Sequence, residues 1–161
     1  MVLNESRPAR PDDAPEIARI YTQGIEDRSS TFETRPRTAD DIAPWFDGQH
    51  PIVVVERQGQ VIAFASTSLY RPRECYAGIA EFSVYVDRAA RGTGAGKAAM
   101  QALLADAQAA GYWKLLSRVF PENIGSRKLL MSLGFREVGL YERHGQLDGL
   151  WKDVVIVEKL L

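Results

Sequence analysis

Two apolar runs, Ile52–Val55 and Val61–Ala65, flank the dipeptide Gln58-Gly59 in the stretch PIVVVERQGQVIAFASTSLY, and this pattern predicts an antiparallel hairpin. Upstream, a short strand within VLNESRP precedes a helix in which Ile17, Ile20 and Tyr21 recur at helical spacing. Asp12 and Asp13 are its cap candidates, and Pro15 lies in its first turn. A second short helix is expected over Thr38–Asp47, and a further strand over Ile79–Val86. The segment GKAAMQALLADAQAAG is rich in Ala, Leu and Gln, places Met100, Leu103, Leu104 and Ala107 on one face and stops at Gly111, the signature of a helix. YWKLLSRVF then reads as a strand, NIGSRKLLMSLG as a helix closed by Gly134, and FREVGLYERHG and LWKDVVIVEKLL as two closing strands. The order β-α-α-β-β-β-α-β-α-β-β describes an α/β fold: one domain over residues 1–161, a mixed central sheet with helices on both faces.

Composition narrows the function classes. The chain has 161 residues, is 45% hydrophobic and carries a formal net charge of −1 without any long run of Lys and Arg, so it offers no electrostatic footprint for nucleic acid or an anionic membrane. One cysteine, Cys75, and two histidines supply neither an internal disulfide nor a Cys- or His-based metal site, so no metal is expected. The N-terminal stretch has no apolar core of a signal peptide, and no run of about 18 apolar residues follows. A cytoplasmic protein is the expectation.

The chemistry concentrates in EFSVYVDRAARGTGAGKAAM, a strand that runs through a glycine-rich turn into a helix. A P-loop reading of Gly96-Lys97 fails, because Arg91 stands where the first Gly belongs and Ala98 offers no hydroxyl for a magnesium ion. Gly94-x-Gly96-x-x-Ala99 also matches a dinucleotide fingerprint with Glu122 as the ribose-binding acid, but that fingerprint follows the first strand of its fold, and here four strands precede it. A third reading makes Arg91-x-x-Gly94-x-Gly96 a pyrophosphate cradle, in which free N–H groups and the helix dipole at a helix start attract an anion. Beside these stands a glycine-rich turn with no ligand, and a nucleotide-binding module without catalysis.

The third motif resembles that of the GNAT N-acetyltransferase superfamily, in which R/Q-x-x-G-x-G/A opens the helix that holds the coenzyme A pyrophosphate. PENIGSRKLLMSLGF is similar to that superfamily's second signature, with Asn123, Ser126 at +3, and Gly134-Phe135 at +11 and +12. More narrowly, AEFSVYV, STFETRP and the late His144-Gly145 and Trp151-Lys152-Asp153 resemble the branch that acetylates phosphinothricin, methionine sulfoximine and arsinothricin. The resemblance implies an acetyl-CoA-dependent N-acetyltransferase working by direct transfer on a small acidic amino-acid-like amine, and a homodimer. The long apolar strand LWKDVVIVEKLL, with Trp151, would meet its copy across a two-fold axis. Another small amine or a protein N-terminus is the alternative substrate.

Residue by residue, the resemblance places Arg91, Gly92, Thr93, Gly94, Ala95, Gly96, Lys97, Asn123 and Ser126 around the cofactor, with the backbone of Val84, Tyr85 and Val86 facing its thioester. Glu81 is the expected general base: alternation sets Glu81, Ser83 and Tyr85 on the face opposite Phe82, Val84 and Val86, and the branch carries its base at the matching position. Arg71, Arg73 and Tyr76 would hold an anionic substrate group, with Arg28 and Phe32 closing over it. Two positions depart from the pattern. Leu130 stands seven residues after Asn123, where the superfamily often has Tyr or His as thiolate acid, leaving Ser126, Tyr141, His144 or water for that role. Ile79 stands where the branch often has Thr.

Overall fold

A computed structural model describes residues 3–161. Its elements follow the order read from the sequence: β1 (Glu5–Pro8), α1 (Ala14–Glu26), α2 (Ala39–Ile42), β2 (Ile52–Arg57), β3 (Gln60–Leu69), β4 (Ile79–Val86), α3 (Ala95–Ala109), β5 (Lys114–Val119), α4 (Ile124–Ser132), β6 (Arg136–Leu147) and β7 (Leu150–Leu160). The seven strands form one sheet in the order β1-β2-β3-β4-β5-β7-β6. Among the described residues, only β4 and β5 pair in parallel.

The continuous apolar runs of β2 and β3 are explained by burial on both faces of the sheet. Val53, Val55, Ala63 and Ala65 pack with Phe82, Leu115 and the Met100, Leu103 and Ala107 stripe of α3. Val54 and Phe64 pack on the opposite face with Ile17 and Ile20 of α1 and Ile42 of α2. A smaller cluster of Phe120, Leu147, Val154 and Ile156 holds the far end of the sheet.

Two local expectations are corrected. Asp13 stands at the N-terminus of α1, but its carboxylate accepts from the Arg10 N–H (2.7 Å) and from the fork of Arg7 (2.8 and 2.9 Å), tying β1 to the helix instead of capping it. The second helix stops at Ile42, since Pro44 lacks the N–H an α-helix needs and its ring clashes one turn back; Ala43–Trp45 form a 3₁₀ turn. Thr38 and Asp41 close the start of α2 as a reciprocal capping box.

Helix α1 lies close over β4 because Gly24 has no side chain: a Cβ there would sit 2.6 Å from the ring of Tyr85. Gly24→Ala is therefore expected to destabilise the fold by about 1–3 kcal/mol through overpacking and to shift Tyr85, measured by urea unfolding and tyrosine fluorescence. An unchanged midpoint would show that the helix rides freely there.

Candidate active site

Strand β4 pairs with β3 from Ala80↔Leu69 to Val86↔Ala63, but with β5 only over Ile79, Ala80 and Glu81. Beyond Glu81↔Leu116 the parallel strands part, and the Ser117 hydroxyl donates to the Phe82 carbonyl at 2.8 Å where the ladder stops. The N–H of Asp87 donates to Ile62 across β3, so odd-numbered residues of β4 address β3 and even-numbered ones face the gap. The backbone N–H groups of Val84 and Val86 thus point into the opening, while Tyr85 addresses β3. An extended molecule with amide groups would satisfy this edge as an added strand does.

The start of α3 closes one end of the gap. Gly94 caps the helix with φ +89°, and Gly92 has φ +75°, both in the left-handed region that glycine tolerates. Among the described residues, the backbone N–H groups from Arg91 to Lys97 have no protein acceptor. Ala95 and Gly96 are buried; a Cβ on Gly96 would stand 3.2 Å from Val86 and 3.3 Å from Leu129, so glycine keeps the helix start against the gap. Thr93 donates to the Ala90 carbonyl (2.5 Å) and accepts from Arg57 (2.8 Å), bracing the turn. Lys97 is exposed and makes no ion pair among the described residues. Arg91 departs from a free phosphate ligand: its guanidinium pairs with Asp27 at 2.7 Å. Asn123 caps α4 by accepting from the Ser126 N–H (3.3 Å), and both line the opening with buried Leu130.

On the α1 face the opening widens into a cleft of about 620 Å³. Glu81 lies in it, half-buried, with Oε1 3.2 Å from Nη2 of Arg118. Ser66, Ser68 and Ser83 surround it, and Tyr21, Trp45 and Phe32 form the walls. Phe32 packs edge-on against Phe120 at 5.0 Å and over Gly145, where a Cβ would meet its ring at 2.9 Å. Burial pushes the Tyr85 phenol well above its ordinary range, so it stays protonated at any working pH. Asp47 and His50 close the far end, with Nδ1 of His50 2.5 Å from Oδ2 of Asp47. Burial pushes the Asp47 carboxyl up, but the His50 and Gln49 N–H groups and the His50 ring outweigh it and hold it at about 2.

The structure does not bring Arg71, Arg73 and Tyr76 to this cleft. The chain leaves the sheet after Leu69, and exposed Arg71 lies over Tyr70 and exposed Arg73 over half-buried Tyr76, off the cleft lining. Arg28 pairs with Asp148 at 3.0 Å instead of facing the cleft. The rings of Tyr141 and His144 lie tilted against each other at 4.8 Å, exposed and off the lining; of the proton sources expected from the sequence, Ser126 lines the gap. Sequence reasoning passed over Arg118, Tyr21, Trp45, Asp47 and His50. One signal was there for Arg118: a charged residue near the C-terminal end of a central strand, where ligands bind to parallel strands.

The acetyltransferase (GNAT) family profile matches residues 17–135. The chain belongs to that family. As a member it is an acetyl-CoA-dependent N-acetyltransferase. The L-methionine sulfoximine/L-methionine sulfone acetyltransferase of Pseudomonas paraeruginosa is 31% identical, over 91% of this chain and 88% of its own. A phosphinothricin acetyltransferase of Sinorhizobium meliloti, solved in complex with AcCoA, superposes with a TM-score of 0.90 at 29% identity, covering 98% of this chain and 88% of its own. A ribosomal-protein-alanine N-acetyltransferase from Brucella melitensis superposes with a TM-score of 0.92 at 30% identity, covering 98% and 99%. The geometry suits the family's cosubstrate: the unpaired edge of β4 would take the amide-bearing arm of acetyl-CoA, and the free N–H groups at the start of α3 its pyrophosphate. Acetyl-CoA supplies an acetyl group activated as a thioester; the protein must orient it, hold the charge that develops on its oxygen and receive a proton from the amine.

Proposed function

We propose that this GNAT acetyltransferase acetylates the amine of a small acidic amino-acid-like molecule, of the phosphinothricin, methionine sulfoximine or arsinothricin kind, by direct attack. The observation that carries the reading is the position of Glu81. It is the last residue of β4 paired to β5, its carboxylate lies in the polar cleft, and the gap opens beside it. In this reading Glu81 takes the proton of the ammonium, directly or through one water, and the N–H groups of Val84 and Val86 donate to the developing oxyanion. The serine hydroxyls and aromatic walls suit a compact polar substrate. A thiol-release assay across phosphinothricin, methionine sulfoximine, arsinothricin, common amino acids and an alanine-initiated peptide tests it. Turnover confined to the peptide would move the substrate to a protein N-terminus, as the Brucella relative's name has it.

The same proposal includes a homodimer in a reducing compartment such as the cytoplasm, where the exposed free thiol of Cys75 is at home. Strand β7, expected to meet its copy, is paired on both sides by β5 and β6, so the free edge is β6, exposed along most of its length, and Val138, Leu140, Tyr141 and Trp151 stand out from the β6–β7 ribbon. A second copy would cover them. Light scattering at micromolar concentration is expected to give twice the 17.9 kDa chain mass, and Trp151→Glu to shift it toward one chain. A wild-type monomer would exclude the dimer.

A further inference from the structure

Among the described residues, Arg118 is the only lysine or arginine lining the cleft. The parallel register Glu81↔Leu116 and the alternation of β5 put Leu116 and Arg118 on the face that carries Glu81, so the two charged side chains project together at the point where the strands part. Their contact is a single one, 3.2 Å from Nη2 to Oε1, with the arginine side chain 41% exposed. The other guanidinium N–H groups have no protein acceptor among the described residues. The cleft's remaining acids are engaged elsewhere: Glu33 with Arg37 at 2.7 Å, and Asp47 with His50.

A carboxylate and a guanidinium side by side are the chemical complement of an α-amino acid, whose ammonium and carboxylate are attached to one carbon. We infer that Arg118 anchors the α-carboxylate of the substrate, and that its fork exchanges Glu81 for this ligand as the ammonium takes its place beside Glu81. A guanidinium can hold a carboxylate through two parallel hydrogen bonds, whereas its contact with Glu81 is one. The exchange fixes the amine beside the base and frees the base from its ion pair in the same event. Arg118 thereby selects amino acids over plain amines, and the substrate side chain is left to the serine and aromatic parts of the cleft. For its turnover arm this rests on the acetyl-transfer reading; for its binding arm it does not.

The test compares L-methionine sulfone, its carboxamide and the decarboxylated amine, by thiol release with acetyl-CoA and by calorimetry with CoA present. Wild type is expected to favour the acid, and Arg118→Ala to raise its KM and Kd about 10- to 100-fold and to narrow the preference for the acid over the decarboxylated amine by a similar factor, with the KM for acetyl-CoA unmoved. Arg118→Lys keeps the charge but not the fork and should recover part of the loss. If Arg118 served only to steady Glu81, Arg118→Ala would affect acid and amine alike. That outcome overturns the anchor, as does a wild type that treats acid and carboxamide alike, whether both are used or both refused. Acid-selective binding with no thiol release for any amine would keep the anchor and overturn acetyl transfer. Thiol release with no preference for the acid would do the reverse.

Discussion

Glu81→Gln is expected to lower kcat by about 10²-fold or more at neutral pH while leaving the KM for acetyl-CoA nearly unchanged. Glutamine keeps the shape of the side chain and an acceptor oxygen for Arg118, 3.2 Å away, so the cleft is not reorganised. It cannot accept the ammonium proton. The gap proposed for the cosubstrate begins beyond this residue and depends on the backbone of β4, which the substitution does not touch. Raising the pH should partly rescue the variant, because solvent then delivers more neutral amine as the amine's own pKa is approached. A variant damaged in folding or binding would show no such recovery. Parallel pH–rate profiles of wild type and variant are the measurement, and equal kcat/KM at pH 7 would remove Glu81 from the role of base.

Gly96→Val is expected to weaken CoA binding by about 10-fold or more without unfolding the chain. The position allows a Cβ only at 3.2 Å from Val86 and 3.3 Å from Leu129, and the branched methyls beyond it must displace β4, α4 or the helix start, all of which border the gap. The stripe of Met100, Leu103 and Ala107 that seats α3 in the core is untouched. Gly94 is a different case, since nothing stands within 4 Å of a Cβ there and its constraint is φ +89°. Calorimetry with CoA, with circular dichroism as the fold control, decides. A folded Gly96→Val chain with unaltered affinity would take the coenzyme out of this gap.

Strand β4 was legible because its alternation is local: Ile79–Val86 was read and Ile79–Val86 is found. The ends of α3 and α4 were legible for a similar reason, since Gly111 and Gly134 adopt φ +95° and +91°, which other residues avoid. The parting of β4 from β5 was not legible, being a relation between residues more than 30 apart that neither segment encodes alone. The sequence pattern ends the first strand of the last hairpin at Gly145, but β6 runs to Leu147, with irregularities near Val138 and between Tyr141 and Gly145 that absorb extra residues. In the second of these, Arg143 has φ +49° and its N–H donates to Asp153 at 2.8 Å, which gives the late Trp-x-Asp motif a structural task. Arg71 and Arg73, expected as a clamp, stand off the cleft lining for a simpler reason. Arg71 and Arg73 precede Glu81 closely in sequence, but the direction a loop takes on leaving a strand is set by what it packs on, and here that is its own tyrosines.

The parting of the two central strands would also join the protein's lifetime to its coenzyme. A chain whose sheet lacks a segment of edge pairing until the coenzyme enters would have part of its folding free energy supplied by a metabolite. By mass action, a ligand at a hundred times its dissociation constant adds about 2.7 kcal/mol to the folded state. When the pool of coenzyme A, acetylated or free, runs low, the enzyme would lose its ligand and some of its resistance to unfolding and proteolysis together, since the arm and the pyrophosphate that suit the gap are common to both forms.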